Sequence, residues 1–137
     1  MSTLNENQVV DAVCEYLKRE GYAINSQCST TQQGIDIVAS KMGSSGRLLV
    51  EAKGGTSSKQ GTARYDRGFN RTQTFDRVAK GFFTAACMIQ AHNTDQVALA
   101  YPDAEWVRDY LGRIRTILLA LRITVFLVKA DLKVVVF

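Results

Sequence analysis

Asp36 lies in Gly34-Ile35-Asp36-Ile37-Val38-Ala39, and Glu51 and Lys53 lie in Leu49-Val50-Glu51-Ala52-Lys53-Gly54. Both stretches are short and apolar and read as strands, in which successive side chains point to opposite faces. Glu51 and Lys53 then share one face and Ala52 takes the other. If the two strands pair as a hairpin, Asp36 can sit opposite Glu51, which brings two carboxylates and one ammonium to the edge of an apolar sheet. Isolated ions in that setting cost desolvation energy and need a partner. A divalent hard cation is one such partner: Mg²⁺, or Mn²⁺ in its place, takes oxygen ligands, keeps several waters and is commonly held by one or two carboxylates plus a substrate phosphate. It makes a bound water easier to deprotonate and offsets charge on a phosphodiester in the transition state. Lys53 would orient that water. The competing explanation is a structural ion pair of Lys53 with Glu51 or Asp36 on a solvated strand face, a pattern that a lone Glu-x-Lys often produces.

The chain that must position these groups has 137 residues, 46% of them hydrophobic and 22% charged. That suits one globular domain over residues 1–137 with a core of its own. Seventeen Lys and Arg against thirteen Asp and Glu give a formal +4, which permits a polyanionic partner. No apolar run approaches the roughly 18 residues of a membrane span. The start, Met1-Ser2-Thr3-Leu4-Asn5-Glu6, lacks a secretory pattern, so a cytoplasmic location is expected. Cys14, Cys28 and Cys87 are odd in number and widely spaced, which argues against a disulfide framework or a zinc site and for buried thiols in a reducing compartment. His92 is the only histidine, too little for a His-based metal site or a triad.

Residues 5–20 read as a helix, with Val9, Val10, Val13 and Leu17 at helical spacing and Gly21 as the stop. Strands are expected at Tyr22–Ser29, Ile35–Ser40 and Arg47–Lys53, with a Gly/Ser turn at Met42–Gly46. Gly54–Gly68 reads as a mobile loop. A long helix follows over Phe69–Ala91, with Phe75, Val78, Phe82, Ala86 and Ile89 down one side, then a strand at Val97–Tyr101. Asp103 looks like the N-cap of a second long helix packing Trp106, Tyr110, Ile114 and Leu118. Ile123–Val128 and Leu132–Phe137 are strands joined by a turn at Lys129-Ala130-Asp131. The order α-β-β-β-α-β-α-β-β predicts a mixed sheet with helices on its faces, an α/β or α+β domain.

A helix, an Asp in an apolar strand, an apolar strand ending Glu51-Ala52-Lys53, a basic loop and a helix together resemble the PD-(D/E)XK nuclease superfamily, the restriction-endonuclease-like fold. The resemblance covers nearly the whole chain. Ile35 stands where that superfamily usually has Pro. The stretch from Val50 to Ser58, continuing through Gly61-Thr62 to Phe69 and Gln73, also resembles a bacterial subgroup of unassigned role. The resemblance implies Asp36 and Glu51 as metal ligands, the carbonyl oxygen of Ala52 as a further ligand and Lys53 as the catalytic lysine. It implies a Mg²⁺- or Mn²⁺-dependent endonuclease whose partner is DNA. Such a superfamily also contains members that have lost activity, so a non-catalytic nucleic-acid-binding protein with the same fold is the alternative. A Holliday-junction resolvase, which acts as a homodimer, is a subordinate one.

An acid on the first helix often completes sites of this kind. At about 100° per residue Glu6 falls within roughly 20° of Leu17 on the apolar stripe, whereas Glu15 falls about 160° away and should face water. Glu6 is therefore the expected participant, and equally it suits a plain first-turn acid. Gln73 occupies the family-like position on the following helix, while Arg71 lies on the upstream extension of that helix's apolar stripe; either would assist. Lys59, Arg64, Arg67, Arg71, Arg77 and Lys80 against Asp66 and Asp76 concentrate positive charge directly after the Glu-x-Lys, with Tyr65 and Phe69 interleaved. They would hold a phosphate backbone, or else form a solvated loop and helix face. The glycine-rich segment lacks the Gly-Lys-Ser/Thr end of a P-loop. Trp106 and Tyr110 read as core rather than as a stacking platform. Arg108, Arg113, Arg115 and Arg122 read as a solvated face. The terminal Val134-Val135-Val136-Phe137 reads as a central strand or as one that pairs with a partner or a second copy.

Overall fold

A computed structural model describes residues 3–28, 34–56 and 68–137. The elements are α1 (Glu6–Arg19), β1 (Tyr22–Gln27), β2 (Ile37–Lys41), β3 (Arg47–Ala52), α2 (Arg71–Ala91), β4 (Gln96–Pro102), α3 (Glu105–Gly112), α4 (Arg115–Ala120), β5 (Thr124–Val128) and β6 (Val134–Val136). The strands form one sheet in chain order, β1-β2-β3-β4-β5-β6. The joins β3–β4 and β4–β5 are parallel and the other three are antiparallel. This is the expected mixed sheet flanked by helices. None of the described helices is long and apolar enough to cross a membrane.

Alternation along the central strands splits the core in two. Ile37, Ala39, Leu48, Val50 and Ala52 face α1 with Val9, Val10, Val13 and Leu17. Val38, Leu49, Leu99, Tyr101 and Leu127 face α2 and α3 with Val78, Ala85, Val107 and Leu111. Each of these large side chains contributes roughly 1.5–3 kcal/mol of gross burial energy. Both long helices start with the same device. Asn5 accepts from the Gln8 N–H while the Gln8 side chain accepts from the Asn5 N–H, and Asn70 and Gln73 repeat the arrangement. Gly21, at φ +94, lets the chain leave α1 in a conformation that other residues rarely adopt.

The second half departs from expectation in four places. The expected stripe of α2 holds in part: Val78 is buried and Phe82 and Ile89 pack half-buried against the core, but Phe75 is exposed, and Thr74, Gly81, Ala85 and Met88 complete the buried side. Small residues win there because Tyr101 of β4 rises into the helix: a Cβ on Gly81 would collide with its ring, and its hydroxyl donates to the Val78 carbonyl at 3.0 Å. The second long helix is broken into α3 and α4, and their buried residues are Val107, Leu111 and Leu118, so Trp106 is turned outward. Ala104, not Asp103, is the N-cap of α3; Asp103 instead receives a two-pronged bond from Arg108 at 2.6 and 2.9 Å. The final strand is a three-residue edge strand against β5, not a central one. Of the cysteines, Cys14 is buried, Cys28 is half-buried and Cys87 is exposed.

The Gly81–Tyr101 contact gives a stability prediction. Gly81→Ala is expected to lower stability by about 1–3 kcal/mol, and Gly81→Ala with Tyr101→Phe to recover part of that loss, because the second change removes the hydroxyl that the new methyl meets. Urea unfolding of the single and double variants checks it; equal losses would contradict the contact.

Candidate active site

The β2–β3 register, Ile37 opposite Val50, carries one step further to place Asp36 beside Glu51 on the face that α2 covers. Both carboxyls are buried, each residue 9% exposed. The Ala52 N–H donates to Asp36 Oδ2 at 2.8 Å, so the backbone between Glu51 and Lys53 fixes the aspartate. Lys53 Nζ lies 3.1 Å from Glu51 Oε2. The Lys53 N–H donates to the Ala100 carbonyl at 2.9 Å, which anchors the end of β3 to β4.

Glu6 arrives from the first turn of α1. It feels the charges of Lys53, Glu51 and Arg77, and its burial holds its carboxyl above the ordinary range. Glu15 is exposed and pairs with Lys18 at 3.3 Å, so the helical angle does separate the two acids. The chain reaches this corner through bare backbone: a Cβ on Gly54 would meet the backbone of Asn5 and Glu6, and the Gly55 N–H donates to the Leu4 carbonyl at 2.8 Å. Gly54-Gly55 is thus the local reason that α1 can start over the end of β3.

Asp36 and Glu51 therefore lie together beside Lys53, with Glu6 near enough for its charge to be felt. The effect falls on Asp36, pushed up from 3.8 to about 7. Burial is the largest cause. The Ala52 N–H pulls the other way, and the charges of Glu51 and Glu6 and a hydrogen bond shared with Glu51 add to the rise. A site short of positive charge, with a carboxyl held half-protonated near neutral pH, suits a cation. Among the described residues no group of three or more His, Cys, Asp or Glu is arranged to hold an ion by itself. An ion here would rest on the Asp36–Glu51 pair, with backbone, water and substrate oxygens completing its shell. Ala52, whose carbonyl is a candidate ligand, directly follows Glu51 and is fully buried.

The other expected site residues divide. The Gln73 side-chain oxygen closes the capping box of α2, accepting from the Asn70 N–H at 2.9 Å. The capping signal Asn70-x-x-Gln73 was present in the sequence and accounts for this position. Arg71 turns to α3, bonding Asp109 at 3.1 Å and the Tyr110 hydroxyl at 3.1 Å. Arg77 stays beside Glu6, its guanidinium 5.0 Å from the Phe69 ring. Lys80 is exposed on α2. Lys59, Arg64 and Arg67 lie outside the described residues.

A cavity of about 300 Å³ opens next to Gly54, with Phe69, Arg77, Pro102 and Trp106 among its lining residues. Sequence reasoning missed it because Trp106 falls on a helical repeat that reads as core. The signal that could have found it is the neighbouring pair Val107 and Leu111, displaced by one residue from Trp106 and Tyr110.

Neither a family model nor a curated protein matches this sequence. Among solved structures, the chain is similar to an fdxN element excision controlling factor protein. That protein is from Anabaena variabilis, and the match has 17% identity, a TM-score of 0.55 and coverage of 96% of each chain. At that identity the likeness is one of fold, and it extends over the whole αβββαβ core and the elements that follow it.

Proposed function

We propose that the chain is a divalent-metal-dependent endonuclease of the PD-(D/E)XK type, acting on DNA. The observation that carries this reading is the buried Asp36–Glu51 pair with Lys53 on the same strand face. When bound, Mg²⁺ or Mn²⁺ supplies an acidified water and offsets charge on the phosphodiester. Asp36 and Glu51 hold it, and the Ala52 N–H keeps Asp36 in place. The Lys53 ammonium, steadied by Glu51, orients the attacking water and balances charge developing on the phosphate oxygens. Glu6 would accept a hydrogen bond from a water at the site, and Arg77 would bind a flanking phosphate. The name of the similar structure, an element excision controlling factor, fits a nucleic-acid partner.

Incubating plasmid, linear and branched DNA with Mg²⁺ or Mn²⁺ tests the reading. Cleavage by the parent protein and a fall of roughly 10²–10³-fold for Lys53→Ala are expected. Equal cleavage by parent and variant would remove Lys53 from the mechanism. Inertness of the parent toward all three DNAs would leave the second reading, a DNA-binding protein on the same fold. Metal-free binding with a steep salt dependence and no metal uptake would identify it.

A further inference from the structure

The cavity beside the carboxylates has the makings of a base-binding site. Its volume of about 300 Å³ is at the lower end of the roughly 300–1,000 Å³ of small-molecule sites and suits one planar ring system. Trp106 stands in its wall with 39% of its surface exposed, so part of it is open to a ligand. Phe69, with the Arg77 guanidinium over its ring, also lines it, and the Phe69 N–H donates to the Gly55 carbonyl at 2.8 Å, which ties its backbone to the segment that follows Lys53. Two of the hydroxyls that line it are already used: that of Thr74 donates to the Asn70 carbonyl at 2.9 Å and that of Tyr101 to the Val78 carbonyl. Glu105 at the rim repels phosphate, so the interior suits an uncharged ring, and Arg77 is left for the backbone. Gly54 links this cavity directly to Lys53, and Arg77 shares the field of Glu6, so a strand crossing the carboxylates would pass the opening.

We propose that the cavity takes up one unstacked base of an unpaired DNA strand, with Trp106 as its stacking surface. The proposal rests on the DNA-acting reading above and narrows its substrate to single-stranded, frayed or branched DNA. A base already out of a duplex can enter without the cost of unstacking, whereas a paired base must first be extruded.

Trp106 is the only tryptophan, so fluorescence excited selectively at tryptophan, apart from the tyrosines, reports on this wall. Titration of metal-free protein with a single-stranded oligo(dT) is expected to quench it, and the same strand in a duplex to quench it much less. Binding of a labelled oligo(dT), followed by anisotropy, should weaken by about 5- to 100-fold in Trp106→Ala and stay within about threefold in Trp106→Phe. Circular dichroism establishes that both variants are folded. DNA binding without quenching, equal quenching by duplex, no binding of the single strand, or unchanged affinity in Trp106→Ala would each overturn the proposal. Plasmid and branched-DNA cleavage by the parent in Mg²⁺ separates the two ideas. Cleavage with a silent Trp106 leaves the nuclease standing without the base site, and quenching without cleavage leaves the base site standing without the nuclease.

Discussion

Asp36→Asn is expected to stabilise the metal-free protein at pH 8 while lowering cleavage on the order of 10³-fold. The two effects come from one cause. Asp36 is pushed up to about 7 from 3.8, so between those values the folded chain holds a proton that the unfolded chain has lost. Stability then falls as pH rises through that window. The contribution of the protonated pair is intact below 3.8 and is lost once pH passes about 7. Above that, a second negative charge must be kept beside Glu51 out of water. Asparagine keeps an oxygen for the Ala52 N–H, offers its amide to Glu51 and brings no charge. A gain of about 1–2 kcal/mol follows, on the order of 3–8 °C in Tm for a chain of this size. Asp95 and Asp103, held low by Arg47 and Arg108, have the opposite pH dependence, and it cancels when variant and parent are compared. Melting curves from pH 5 to 8 check the expectation: the parent should lose its Tm more steeply than the variant. Mg²⁺ should raise the Tm of the parent at pH 8 and leave Asp36→Asn unmoved, since a ligand stabilises only the state that binds it. A variant less stable than the parent at pH 8 would show that the carboxyl is not under strain.

Gly54→Ala is the second large effect. The added methyl would meet backbone atoms of Asn5 and Glu6, which cannot swing aside as a side chain can. Either α1 lifts from the end of β3 or β3 pulls away from β4, where the adjoining Lys53 N–H is bonded to Ala100. A loss of about 2–3 kcal/mol is expected, together with reduced cleavage because Glu6 moves away from Lys53. Gly112→Ala serves as the control. Nothing lies within 4 Å of its added Cβ, and it closes α3, so it should be neutral or raise stability by up to about 1 kcal/mol. Urea midpoints for the two variants decide the matter; similar shifts would mean that the Gly54 approach is not needed.

The hairpin that pairs Asp36 with Glu51 was legible because alternation has a period of two and both strands are apolar. Once Val50 and Ala52 are assigned to one face, Glu51 and Lys53 have no other place. Glu6 was legible for the same kind of reason, a phase angle on a strongly apolar helix. The helices of the second half were harder. On α2 the bulky Phe75 and Phe82 drew the stripe away from Thr74, Gly81 and Ala85, which are small because the helix sits close over Tyr101. On α3 two apolar repeats run side by side, and only the sheet decides that Val107 and Leu111 go in and Trp106 stays out. Gln73 illustrates the limit of reasoning by position: the residue is where the resemblance places it, yet its side chain is spent on the start of its own helix.

The sheet's order follows the chain, and this bears on how fast the molecule assembles. The β1–β2, β2–β3 and β5–β6 joins are between consecutive antiparallel strands, whose closure entropy is small. The two parallel joins must wait for intervening helices, α2 for one and α3 with α4 for the other. Slow steps in folding should therefore involve β4, which takes part in both parallel joins. The carboxylate pair lies in a fast local hairpin, whereas the cavity wall that carries Trp106 takes shape only when the last crossover closes.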